Sequence, residues 1–184
     1  MKGKGFSVIE LMLVIAVSGI LIAVAIPTFS TLLETNKVKS ALFILQNQIQ
    51  TARESAVFNN TTVTMCPLFQ GRCTDLWSKG YSIFYDQNAN RVFDPEDTMI
   101  SQYDPLPEVT LLWNPVKNSN ALQYDPTGTT HKANQNGTFS ICSTRAFVPA
   151  YGVIINRQGR MWTGVDKDRD QYLDGQSSSR FIRC

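Results

Sequence analysis

The chain has 184 residues, of which 43% are hydrophobic, 10% aromatic and 17% charged. That composition fits one domain of ordinary size and excludes a disordered tail, a collagen-like repeat or a coiled-coil rod. A net charge of +2 announces no global basic field for nucleic acid, and the one histidine, His131, weakens every mechanism built on a His pair or cluster.

The apolar residues are unevenly spread. Residues 1–5 (MKGKG) form a short basic leader, and 20 of the 28 residues from 6 to 33 are hydrophobic, against 58 of the 151 that follow. A helix needs about 20 mostly apolar residues to cross a hydrocarbon core, so a transmembrane helix is expected over 6–28. Lys2 and Lys4 should hold the leader in the cytoplasm and send the C-terminal bulk outward. A cleaved secretory signal would have a shorter apolar core and no carboxylate inside it; here Glu10 interrupts the run. After Pro27, positions Val38, Ala41, Leu42, Leu45, Ile49, Ala52 and Ala56 recur at helical spacing. They predict an amphipathic helix over 29–58, with Pro27 kinking or loosening the junction.

Glu10 is the informative residue of this segment. A charge at the centre of a membrane helix costs about 2.5–3.5 kcal/mol, so it calls for a partner. Cleavage after Gly5 would create an α-amino group on Phe6, which Glu10 could neutralise on a neighbouring chain. The alternative is a carboxylate favoured by the dipole of the first helical turn.

The string Lys4-Gly5-Phe6-Ser7-Val8-Ile9-Glu10-Leu11, with Pro27 beyond it, resembles the processing signal of type IV pilins and type II secretion pseudopilins. The resemblance implies cleavage between Gly5 and Phe6 by a prepilin peptidase and N-methylation of Phe6. It also implies residence in inner-membrane lipid and later packing into a fibre through the N-terminal helices, with Glu10 and Pro27 serving assembly.

From about residue 59 to 184 the texture changes to short β-type runs, at 61–65, 81–85, 98–103, 109–113, 138–142 and 152–156. Asn136-Gly137, Pro126-Thr127-Gly128 and Gln158-Gly159 mark turns between them. The expected layout is α+β: a long N-terminal helix over 6–58 packed on a C-terminal antiparallel β-domain. Four cysteines outside the cytoplasm favour two disulfides. Of three pairings, Cys66–Cys73 closes a short loop and Cys142–Cys184 pins the C-terminal residue to a strand, and these are preferred. Zinc is the competitor, but the spacing is not that of a usual zinc site.

This region resembles the GspH/FimT group of minor pilins and pseudopilins. The pieces are Lys79-Gly80-Tyr81-Ser82-Ile83-Phe84-Tyr85-Asp86, then Asn156-Arg157-Gln158-Gly159-Arg160 and the terminal Cys184. FimU-like members imply a structural and priming role beside the major pilin and other minor pilins. FimT-like members imply DNA reception, and a type II secretion pseudopilus is a further alternative.

Asp86, Asn88, Asn90, Asp94 and Asp97 follow the rhythm of a calcium loop, but Arg91 stands where Gly is wanted. Asp166, Asp168, Asp170 and Asp174 make a second partial match. Solvated turns are the default for both, with no metal or cofactor expected. Mature side chains sum to zero, with five basic against eight acidic over 59–144 and seven against four over 145–184. A Cys142–Cys184 bridge is expected to bring Arg180 and Arg183 near Arg157 and Arg160. With Lys167, and with Trp162 or Phe181 for stacking, these residues could hold DNA. The Gly-Arg-x-Arg motif of FimT-type receptors is incomplete, since Trp162 replaces the second arginine of Gly159-Arg160-Met161-Trp162. His131 lies in a polar stretch with no nucleophile motif, and no phosphate-cradling Gly loop occurs, so an enzyme is not expected.

Overall fold

Ser7 starts the first element: its Oγ accepts from the Ile9 backbone N–H at 3.3 Å and so caps helix α1, Val8–Phe58. The computed structural model describes residues 7–104, 107–117, 119–131, 135–144, 148–168, 170, 182 and 184, without the side chains of Val24, Pro27 and Thr28. The helix continues through position 27 as one element of 51 residues, so no break separates its two halves.

Among the described residues ten strands follow: β1 (Val63–Cys66), β2 (Leu68–Phe69), β3 (Arg72–Cys73), β4 (Tyr81–Tyr85), β5 (Thr98–Tyr103), β6 (Val109–Pro115), β7 (Leu122–Tyr124), β8 (Gly137–Ser143), β9 (Ala150–Ile155) and β10 (Met161–Asp166). They form two antiparallel four-stranded sheets, ordered β5-β4-β1-β7 and β10-β9-β8-β6, and the small hairpin β2-β3. The second half of α1 packs on β1 and β7 of the first sheet and on β6, β8 and β9 of the second.

All seven stripe residues expected from the spacing are buried: Val38, Ala41, Leu42, Leu45, Ile49, Ala52 and Ala56. They meet Val63, Met65, Phe84, Leu122, Phe139 and Val153 from both sheets in one core. Small residues at 41, 52 and 56 let the helix approach the sheets closely, while Leu45 and Ile49 fill the space between them. The first half of α1 has no such cover. From Val8 to Leu33 its described large apolar side chains stay between 47% exposed at Leu33 and 75% at Ile9.

Both preferred disulfides are present. Cys66–Cys73 closes the β2-β3 hairpin and Cys142–Cys184 ties the C-terminal residue to β8.

Candidate functional site

The first half of α1 presents a continuous series of exposed large apolar side chains. Its polar landmark, Glu10, is exposed in the first turn, with its N–H donating to the Ser7 carbonyl at 3.1 Å. That position suits a carboxylate on dipole grounds. Gly5 and Phe6, the expected cleavage and methylation residues, lie outside the described residues, as does the Pro27 side chain. Among the described residues no helix is long and apolar enough to cross a membrane.

At its other end, α1 is pinned to two turns by Arg53. Its Nε donates to the Gly128 carbonyl at 2.8 Å and its Nη2 to the Gln158 carbonyl at 3.2 Å. Gly159 sits in this contact with φ 73, where an added Cβ would lie 2.1 Å from the Gly128 oxygen. The glycine of Gly159-Arg160 is therefore required by the turn and its close packing, independently of any phosphate.

Among the described residues, Arg157, Arg160 and Lys167 do not lie together. Arg157 and Arg160 are exposed at the β9–β10 turn, whereas Lys167 follows the far end of β10. Six strand residues separate the two ends, about 20 Å at the usual strand rise. Lys167 sits beside Asp166, Asp168 and Asp170, whose carboxylates lie within 4.8 Å of one another. The disulfide holds Cys184 at that same end, because Cys142 follows Ile141, the partner of Tyr151, while the turn adjoins Ile155. The bridge thus anchors Cys184 away from Arg157 and Arg160. Trp162 is partly buried, packed against Ile154 and Ile182. Arg180, Phe181, Arg183 and Asp174 lie outside the described residues.

The loop after β4 turns its calcium-type oxygens onto its own donors. Asp86 is fully buried: Oδ1 accepts from the Asn90 N–H at 3.1 Å, and Oδ2 from the Arg91 N–H at 3.0 Å, Thr64 Oγ1 at 2.6 Å and Gln123 Nε2 at 3.1 Å. Gln135 extends this network by donating to Gln123. Asp94 accepts from Asn88 and Asn90 at 3.2 and 2.8 Å, and Asp97 takes the Gln87 and Asp94 N–H groups, both at 2.9 Å. Hydrogen bonds from Asn90 and Asn88 hold the Asp94 carboxyl below its ordinary pKa. Arg91 adopts φ 65, the backbone a glycine would have supplied at that position. Asn and Asp act here as turn-forming residues.

His131 directs Nδ1 to Asp125, and its Nε2 is buried with no hydrogen-bond partner among the described residues. A triad would need its nucleophile at Nε2. A further ionic link, Lys37 to Glu34 and Glu108, joins α1 to the segment before β6, and the Glu108 and Glu34 bonds raise the Lys37 pKa. Sequence reasoning missed both Arg53 and Lys37. The Arg53 partners and Glu108 are brought near only by the tertiary fold; the local signs were the three-residue spacing of Glu34 and Lys37 and the position of Arg53 four residues after the buried Ile49.

A long N-terminal helix, bare in its first half and sunk under antiparallel sheets in its second, defines a pilin-type α+β fold. Two crystal structures of the type IV minor pilin FimU from Pseudomonas aeruginosa share it, at 22% sequence identity. One gives a TM-score of 0.55 and covers 78% of this chain and 92% of that one; the other gives 0.51, covering 68% and 90%. A pilin-like protein of Thermus thermophilus, PilA1, is 34% identical over 97 residues, 52% of this chain. The match spans 56% of that relative's length. The family described as type II transport protein GspH matches residues 45–159. The chain belongs to the GspH family of type IV pilin-like proteins.

Proposed function

We propose that the chain is a minor pilin subunit that helps prime and build a type IV pilus, a structural and non-catalytic role. The observation that carries this role is the division of α1. Fifteen large apolar side chains among the described residues from Val8 to Leu33 are exposed, directly continuous with a stripe fully used by the subunit's own core. Burying those side chains would contribute on the order of 20 kcal/mol, far more than a free subunit can forgo. Inner-membrane lipid covers them before assembly, with the β-domain in the periplasm, and the helices of other pilins cover them in the fibre. Support comes also from the signal-like string around Gly5, Phe6 and Glu10, from membership of the GspH family, and from the minor-pilin fold of FimU.

In this mechanism a prepilin peptidase cuts after Gly5 and methylates Phe6, and Glu10 neutralises the new amine of a neighbouring subunit to set register. A type II secretion pseudopilus uses the same helix logic, and membership of a family described as type II transport protein favours keeping it as the second reading. Expression of Glu10→Ala in a host carrying the assembly genes tests the step. The variant is expected to be processed normally yet lost from sheared fibres. Normal incorporation of processed Glu10→Ala would refute the charge-pairing step.

A further inference from the structure

The second half of α1 is not covered all round. A cavity of about 270 Å³ opens between it and the β-domain, with walls that include Ile44, Leu45, Trp77, Tyr103, Val109 and Leu111. Tyr103 ends β5 and Val109 begins β6, and each is the edge strand of its sheet among the described residues. The walls are mostly apolar. Ser78 spends its hydroxyl on the Leu111 backbone, donating to the carbonyl at 2.9 Å and accepting from the N–H at 3.1 Å. Gln48 Oε1 and the Trp77 indole nitrogen are buried behind the wall surface, out of an occupant's reach. Asp104, the one charged group among the described lining residues, is exposed. An occupant therefore meets mainly carbon, and water fits poorly because each molecule needs two to four polar partners.

Ile44 is both a wall of this cavity and a member of a longer row. At about 3.6 residues per turn, Ile15, Ile22, Ile26, Leu33 and Ile44 lie along one line of α1, and all five are exposed. Leu33 closes the bare half of the helix, and Ile44 stands about 16 Å further along the axis at the usual rise. Between them Lys37 would interrupt the row with a charge, but its ammonium is tied to Glu34 at 3.1 Å and to Glu108. The apolar face thus runs past a matched charge and up to the cavity.

We propose that in the fibre this cavity receives an apolar side chain from the bare N-terminal helix of a neighbouring pilin-type subunit. The inference rests on the pilin reading above and adds to it a receiving site between α1 and the β-domain. A helix laid along the row packs side chain against side chain, and a pocket that closes around one of them fixes how far along α1 the neighbour sits. A lipid tail is the poorer fit, because the cavity lies beyond Leu33, where the bare half ends.

The test is made on the full chain in a native host, with the photoreactive residue p-benzoylphenylalanine placed at Ile44 or at Asp104 and, as control, at the exposed Thr163 of β10. Sheared fibres are irradiated and the cross-linked peptides mapped by mass spectrometry. Probes at 44 and 104 are expected to join the N-terminal helix of another pilin subunit, and the probe at 163 is not. Ile44→Asn, which puts an amide against an apolar partner, should lower the amount of chain in the fibres about tenfold at equal cellular level. If that variant folds poorly, the two probes decide. The proposal is overturned if the chain enters fibres but neither probe reaches a neighbour's helix, if the probes label lipid only, if Thr163 labels the same helix equally, or if well-folded Ile44→Asn is retained like the parent. Absence of the parent chain from pilus and pseudopilus fractions alike would overturn the pilin reading, and this one with it.

Discussion

Asp86 is a fully buried carboxylate that holds two loop N–H groups, a threonine hydroxyl and a glutamine amide. Removing it strands the Arg91 N–H and the Thr64 hydroxyl and leaves Asn90 N–H and Gln123 Nε2 only their second acceptors, Asn88 Oδ1 and Thr64 Oγ1, so Asp86→Ala is expected to cost about 3 kcal/mol or more in urea unfolding. A loss under about 1 kcal/mol would mean the network is not formed. Gly159→Ala must place a Cβ against the Gly128 carbonyl at positive φ, and about 2–4 kcal/mol of destabilisation is expected by the same measurement. Asp94 supplies a pH test. Its folded pKa is lowered, so its contribution is present above the unfolded value of about 3.8 and is lost as pH falls through the lower folded value. Carboxyl NMR should place its midpoint below 3.8, and Asn90→Ala should move it upward. A midpoint at or above 3.8 would contradict the Asn90 and Asn88 bonds. The roles of Asp86 and Gly159 were half visible in sequence. Both belong to turn-forming strings, but whether an Asp faces a cation or its own backbone depends on the loop's path.

Among the elements, α1 was the most legible, because its stripe is a local periodicity and every stripe residue reached the core. Leu45→Ala and Ile49→Ala should each cost about 2–5 kcal/mol in thermal unfolding, whereas Phe43→Ala, on the exposed face, should stay within about 0.5 kcal/mol. Equal losses at 43 and 49 would place the buried face wrongly. The strand expectations at 81–85 and 98–103 coincide with β4 and β5, because alternating β-branched and aromatic residues there are bounded by turns. Strand β7 escaped notice because three residues carry no pattern, and β10 because Gly164 interrupts it and its pairing with β9 decides it. The partition into two sheets was also illegible, since strand order rests on long-range pairing. The cysteine number left three pairings open, and the preferred one, Cys66–Cys73 with Cys142–Cys184, is the one observed. Opening them is expected to remove about 2.5 kcal/mol for Cys66–Cys73 and about 4 kcal/mol for Cys142–Cys184 on the chain-entropy view. Refolding with and without reductant checks this.

At the scale of the whole molecule, charge and hydrophobicity separate what composition averages together. The expected basic cluster does not form among the described residues, because Arg157 and Arg160 lie at one end of the second sheet while Lys167 shares the other end with three aspartates. Sequence distance could not show this; only the β9–β10 register places the turn opposite the Cys142–Cys184 anchor. Apolar surface is divided as sharply, with one core under two sheets and one bare helical half that needs other molecules to cover it. The central claim is that this half enters a fibre after the leader is removed. Mass spectrometry of the N-terminal peptide from sheared, washed fibres of a native host tests it most directly. The expected result is a peptide beginning at N-methylated Phe6. A chain found in that fraction with residues 1–5 still attached, or absent from both pilus and pseudopilus fractions, would contradict it.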